Sequence, residues 1–189
     1  DNQRLELSIQ QYHSQFAQFK AQLHSTPSTV AATMQLVVDG FERYYRQDWD
    51  SYYQQHLGAE LDVYVHMGEQ LLALIDQTSA LKLPADGADA LHLQQHGVGK
   101  QQQKYANIYK AQLHDAELRL LFWYGLGTEG RREFKALAEK YGLFEHLRWP
   151  DSEQAYVFHP FLQQALSEYS GAAFGNNGTW QNHFQHHQA

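Results

Sequence analysis

The chain has 189 residues, 43% of them hydrophobic, including 12 Tyr, 10 Phe and 4 Trp; this fills one core and, with 19% charged residues and 4 Pro, excludes a disordered polymer. The absence of Cys excludes disulfides, thiolate nucleophiles, Cys-ligated zinc and iron–sulfur centres. The net charge of -7 is uneven: Lys plus Arg against Asp plus Glu count 5 to 12 over residues 1–99, 9 to 6 over 100–148, and 0 to 3 beyond.

No apolar run approaches the ~20 residues that span a bilayer, and the opening DNQRLELSIQ has neither a basic leader nor an apolar signal core. The expected location is cytoplasmic, with tethering to a membrane left open through a segment not in this chain, because residue 1 is Asp rather than Met. Leu5, Ile9, Tyr12, Phe16, Phe19 and Leu23 recur at spacings of 4, 3, 4, 3 and 4, the seam of a helix about 28 Å long. This first unit, residues 1–25, either docks on the domain or pairs with a second copy.

Thr26-Pro27 reads as a cap and first turn. One helix is expected to follow as far as Gly58, with Gly40 as a kink and Val30, Met34, Val37, Val38, Phe41, Tyr45, Trp49 and Tyr52 on its apolar face. Its aromatic run YYRQDWDSYY, with Arg43 and Arg46, reads as core and rim more readily than as a base-stacking platform. Residues 59–78 are apolar around most of the helix circumference, which predicts a central helix with a polar stripe of Asp62, His66, Glu69, Gln70 and Asp76. Residues 78–99 contain Pro84, Gly87, Gly97 and Gly99 and read as a connection with weak helical turns near 89–96. A last helix is expected from Pro160 to Ser170, and residues 171–189 read as a Gly-, Asn- and His-rich tail that orders only where Phe174, Trp180 or Phe184 docks.

Several motifs carry possible chemistry. GLGTEG at 125–130 matches the dinucleotide fingerprint by letter. The preceding LRLLFWY has helical rather than strand character, so Gly125 and Gly127 read as a helix end, with Thr128 capping the next helix and Glu129 in its first turn. Asp62, His66 and Glu69 at i, i+4 and i+7 share a helix face that could ligate a divalent metal or orient His66 as a general base, and they form the catalytic candidate. The bland alternative is an inter-helix polar network. His92 with His96, and His183, His186 and His187, lack any H-E-x-x-H or comparable signature, so neither a metal nor a cofactor is expected. No arginine has a histidine at the spacing of the R-x4-6-H signature of helical ribonucleases, and P-loop and G-x-S-x-G patterns are absent. The positive balance of 100–148 either answers the acidic N-terminal half or meets an anionic partner; a surplus of three is small for a nucleic-acid binder.

The segment 105–147 resembles the bacterial phage abortive infection protein family. The resemblance rests on three parts: Tyr105, Ala106, Asn107, Ile108, Lys110, Ala111, Gln112 and Leu113; then Glu117, Leu118, Leu121 and Phe122; then Phe134, Leu137, Lys140, Tyr141, Leu143 and Phe144. Tyr64, His66 and the LLALID that follows extend it upstream. Lys110 stands where the family pattern has Arg, which turns a bidentate contact into a point charge. His114 stands where it has Ser, so a capping box with Glu117 is expected to be lost unless Asp115 caps instead. The resemblance implies phage defence by a helical domain, often behind membrane-spanning or coiled segments.

Together these readings predict an all-α fold, a single irregular bundle of five to seven helices around the 59–78 helix, with its main domain over 26–170. The expected function is a phage-defence sensing or effector module acting through a protein partner or self-association of the N-terminal helix. The binding candidates are Tyr105, Asn107, Lys110, Gln112, Arg131 and Arg132. The alternative is a nuclease acting on RNA or nucleotides, using His66 with Asp62 or Glu69 and the basic residues Lys110, Arg131 and Arg132.

Overall fold

The computed structural model describes residues 2–25, 30–44, 48–56, 59–84, 86–128, 130, 132–148 and 160–177. Among these residues all regular structure is helical, as the apolar spacing predicts. The described residues form nine α-helices: α1 (Asn2–Ser25), α2 (Val30–Tyr44), α3 (Trp49–His56), α4 (Ala59–Gln77), α5 (Gly87–His96), α6 (Lys100–Lys110), α7 (Asp115–Leu126), α8 (Phe134–Tyr141) and α9 (Pro160–Ser167). Single 3-10 turns follow α4 at Ser79–Lys82 and α9 at Gly171–Phe174.

The count exceeds expectation for two local reasons. The single helix expected up to Gly58 is instead α2 and α3. Asp48 starts α3 by accepting the Ser51 N–H at 2.9 Å and the Ser51 hydroxyl at 2.8 Å, a side-chain cap inside an aromatic run. Gly40 does not interrupt α2. A Cβ there would stand 2.6 Å from the Tyr52 hydroxyl, which donates to the Val37 carbonyl at 2.8 Å, so this glycine admits a cross-helix contact. Thr26, Pro27, Tyr45 and Gly58 lie outside the described residues.

The second departure is the supposed connection over 78–99. Asp86 caps α5 by accepting the Asp89 N–H at 2.8 Å, and Gly97 at φ 67° ends it. Gln102, fully buried at the start of α6, donates to the Ile75 and Asp76 carbonyls at 3.0 and 3.1 Å. It thereby satisfies carbonyls that the end of α4 would leave bare.

Helix α4 packs against α1, α6 and α8, burying Leu61, Tyr64, Val65, Leu71, Leu72 and Ile75. Helix α7 is still more enclosed: every residue over 117–125 is buried, and it lies against α2, α3 and α8. Two hydrogen bonds join these central helices, Tyr64 Oη to Glu117 Oε1 at 2.8 Å and Tyr124 Oη to Glu69 Oε2 at 2.9 Å.

In α1, Ile9 and Phe16 are in the core and His13 is buried between them, so this part of the seam docks within the chain, Phe16 lying beside Tyr64 and Tyr109. The side chains of Leu5, Tyr12, Phe19 and Leu23 lie outside the described set. At the other end, Phe174 is buried against Phe144 and Tyr169, and Ala173 accepts the Phe144 N–H at 2.8 Å. Trp180 and Phe184 lie outside the described residues. No helix among the described residues is long and apolar enough to cross a membrane.

Candidate functional site

Three cations of the central segment pair with acids of the N-terminal half. Lys100 pairs with Asp89 at 2.6 Å, Lys140 with Asp76 at 2.5 Å, and Arg119 with both Asp39 at 2.9 Å and Glu42 at 2.6 Å. All four acids come from the acidic N-terminal half. The Arg119 site was missed in the sequence because the residue sits inside LRLLFWY, an apolar run that draws attention to its neighbours. The available signal was an Arg that a buried helix face cannot hold without anionic partners.

Glu42 and Arg119 are 2% and 1% exposed, and Trp123 Nε1 donates to the second Glu42 oxygen at 2.9 Å. Burial pushes the Glu42 carboxyl up to about 7 against the opposing pull of Arg119 and the Trp123 hydrogen bond. The Arg119 guanidinium, though burial disfavours its charge, is held above its ordinary value by Glu42 and Asp39. This is a structural clamp between α2 and α7.

A different arrangement surrounds His66. Its Nδ1 stands 2.9 Å from the Asp62 carbonyl and 3.4 Å from Asp62 Oδ1. A carbonyl only accepts, so Nδ1 carries the proton, and in the neutral ring Nε2 holds the lone pair. Asp62 also accepts the Tyr53 hydroxyl at 2.7 Å, and Glu69 accepts that of Tyr124 at 2.9 Å. The Tyr53 and Tyr124 rings lie 6.0 Å apart, and the His66 ring meets Tyr124 edge-on at 6.2 Å. The three stripe residues therefore share one face, but the two carboxylates turn to different tyrosines. Among the described residues no group of three or more His, Asp or Glu is disposed to hold a metal ion.

The same two tyrosines line a cleft of about 40 Å³ with Trp49, Asp50, Gln54, Gly127 and Gly130. Two stretches far apart in sequence, the α4 stripe and GLGTEG, thus meet across Tyr53 and Tyr124. Gly127 caps the end of α7, and a Cβ there would stand 2.6 Å from Asp50 Oδ1 and 2.9 Å from Trp49. Thr128 does not cap α8, which begins only at Phe134. Its N–H donates to Asp50 Oδ1 at 2.8 Å and its hydroxyl to Asp50 Oδ2. The Asp50 carboxylate offers two acceptors close to the turn, and a cap on a helix six residues further on is out of reach. Glu129 lies outside the described residues. The run before GLGTEG is α7 itself, so the motif lacks the strand that a dinucleotide site requires.

The remaining binding candidates are distributed differently. Tyr105 is buried, with its ring beside that of His13 at 6.2 Å. Lys110 is 6% exposed and pairs with Glu145 at 3.0 Å. This contact, although burial opposes it, holds the Glu145 carboxyl below its ordinary value. Asn107 is exposed and accepts from Gln103 at 2.9 Å; Gln112 donates to the Ile108 carbonyl at 3.2 Å. Arg132 is exposed beside Asp50, Leu126 and Thr128 on the rim near the cleft, whereas Arg131 lies outside the described residues. Half of the capping box expected to be lost at His114 persists, since Glu117 accepts the His114 N–H at 2.6 Å. His92 bonds the Val98 carbonyl at 3.0 Å; the His96 side chain and His183, His186 and His187 are outside the described set.

Residues 58–151 match the model of a family described as "Putative phage abortive infection protein". No curated protein and no solved structure matches the chain. The match takes in α4 through α8, hence His66, Glu69, Tyr124 and the GLGTEG turn. Trp49, Asp50 and Tyr53, which complete the cleft, precede it. It also contains the whole 105–147 segment and the upstream Tyr64, His66 and LLALID. Over residues 58–151 the chain is thus similar to the putative phage abortive infection protein family.

Proposed function

We propose that the chain serves phage defence as an interaction module and that the cleft between α3 and the end of α7, whose two tyrosines hydrogen-bond to α4, is the face it presents to a protein partner. One observation carries this reading. The carboxylates of Asp50, Asp62 and Glu69 are held by the neutral donors Thr128, Tyr53 and Tyr124, with no Lys or Arg paired to them among the described residues. By contrast Lys100, Lys110, Arg119 and Lys140 are all occupied with internal acids. Carboxylates oriented by neutral donors at a partly exposed surface suit recognition. Self-association through α1 has weaker support, because Ile9, His13 and Phe16 are already buried in the chain.

A nuclease reading keeps one specific support, the His66 ring with its protonated Nδ1 on the Asp62 carbonyl and a lone pair on Nε2. Against it, an anionic substrate there would face Asp50, Asp62 and Glu69, with only Arg132 nearby among the described cations. Phage challenge of a sensitive host producing the full-length protein separates the two. Gln54→Ala and His66→Ala proteins that remain folded are expected to lose protection, while the purified wild-type protein leaves RNA intact. RNA cleavage by wild type that His66→Ala abolishes would overturn the module reading.

A further inference from the structure

Resting on that reading of the cleft, and naming the chemistry of its partner, we propose that the cleft binds a cationic side chain, Lys or Arg, presented by a protein. The walls are aromatic: Trp49, Tyr53 and Tyr124. Aromatic faces attract a cation by their quadrupole, most effectively where water is partly excluded. Two of these rings are biased further in that direction, since the phenols of Tyr53 and Tyr124 donate to the carboxylates of Asp62 and Glu69 at 2.7 and 2.9 Å. A phenol whose proton is drawn toward an anion carries more electron density in its ring, the cooperative polarisation of linked hydrogen bonds.

Asp50 adds a third negative charge in the lining itself. Its two oxygens accept from the N–H and hydroxyl of Thr128, which orients the carboxylate without neutralising it. Gly127 lets that carboxylate and the Trp49 ring approach the α7 turn closely. The cavity, about 40 Å³, has room for an ammonium or guanidinium headgroup and excludes a large ligand. Asp62 and His66, with side chains 48% and 45% exposed, stand beside the Tyr53 and Tyr124 walls. Arg132, on the rim near the cleft, is a single positive charge against the three carboxylates. An anionic or neutral apolar occupant would leave that charge uncompensated, and a cationic side chain compensates it.

The probe is a synthetic peptide of alternating Gly and Lys, with alternating Gly and Glu as its counterpart, titrated calorimetrically into the purified full-length protein at fixed low salt. The Lys peptide is expected to bind and the Glu peptide not to. Asp62→Asn combined with Glu69→Gln keeps both acceptors for the tyrosines and removes the charge; it is expected to weaken Lys-peptide binding at least tenfold. Asp115→Asn removes an exposed charge in the first turn of α7, about 13 Å along the axis from Tyr124, and is expected to change it less than twofold.

Equal weakening by Asp115→Asn and by the double variant would mean diffuse attraction and overturn the proposal, as would absence of binding. If the Lys peptide fails to bind while Gln54→Ala and His66→Ala still abolish phage protection, the cationic partner falls and the module reading stands. If the peptide binds as expected but those variants still protect, the module reading falls and the cation site stands.

Discussion

The α2–α7 clamp and the cleft beside α4 are both built from acidic side chains and aromatic rings, yet they treat charge in opposite ways. At the clamp, Glu42 and Asp39 meet Arg119 directly and Trp123 completes the coordination, with Glu42 and Arg119 almost fully shielded from water. Asp50 in the cleft, and Asp62 and Glu69 behind its tyrosine walls, meet hydroxyls and a backbone N–H with no Lys or Arg paired to them among the described residues, and all three are partly exposed. A buried carboxylate without a cation would be prohibitive; a carboxylate at the surface can keep its charge while neutral donors fix its direction. The contrast separates residues that hold the fold from residues that are available to a partner.

The comparison breaks most visibly at Arg119. Arg119→Met leaves Glu42 buried beside Asp39 without a cation and is expected to cost about 3–5 kcal/mol, read as a fall in the urea midpoint at unchanged m-value. Adding Glu42→Leu removes the stranded charge and is expected to recover part of that loss. If the single variant unfolds at the wild-type midpoint, the clamp is not structural.

Glu42 supplies a pH test with a definite sign. Its carboxyl rises from an ordinary 4.5 to about 7 in the folded chain, so between those values the folded state binds more protons than the unfolded one. Its contribution to stability is then fully present below about 4.5 and declines as pH rises toward 7. Glu42→Gln is expected to remove this decline, seen by comparing urea unfolding of the two proteins at the ends of the window; parallel slopes would contradict it. A smaller effect is expected at Tyr124→Phe, about 1 kcal/mol for the lost hydrogen bond to Glu69. The smallest belongs to Asp62→Asn with Glu69→Gln, within about 0.5 kcal/mol of wild type, because the acceptors survive.

The helical architecture was legible because its signals are local. Apolar spacing placed α4 and α7, and the family block over 105–147 falls within the matched segment 58–151. Boundaries went astray where a short polar cap decided them: Asp48 with Ser51 divides α2 from α3, and Asp86 with Asp89 starts α5 inside a Gly- and Pro-containing stretch. The shared face of Asp62, His66 and Glu69 followed from helix periodicity, as did the reading of GLGTEG as a helix end. Their meeting across Tyr53 and Tyr124 did not, because it depends on how α3, α4 and α7 pack, and spacing within one helix says nothing of its neighbours. Arg119 illustrates the same limit. Its partners lie 77 and 80 residues away in sequence, and the burial that makes them necessary appears only once α2 covers α7.

The division between structural and available charge meets its most direct test in a phage challenge with the full-length Asp62→Asn/Glu69→Gln protein, its melting temperature recorded alongside. The account predicts a melting temperature within about 2 °C of wild type, the shift that so small a stability change produces in a domain of this size, together with loss of protection. Full protection by this folded variant would contradict it.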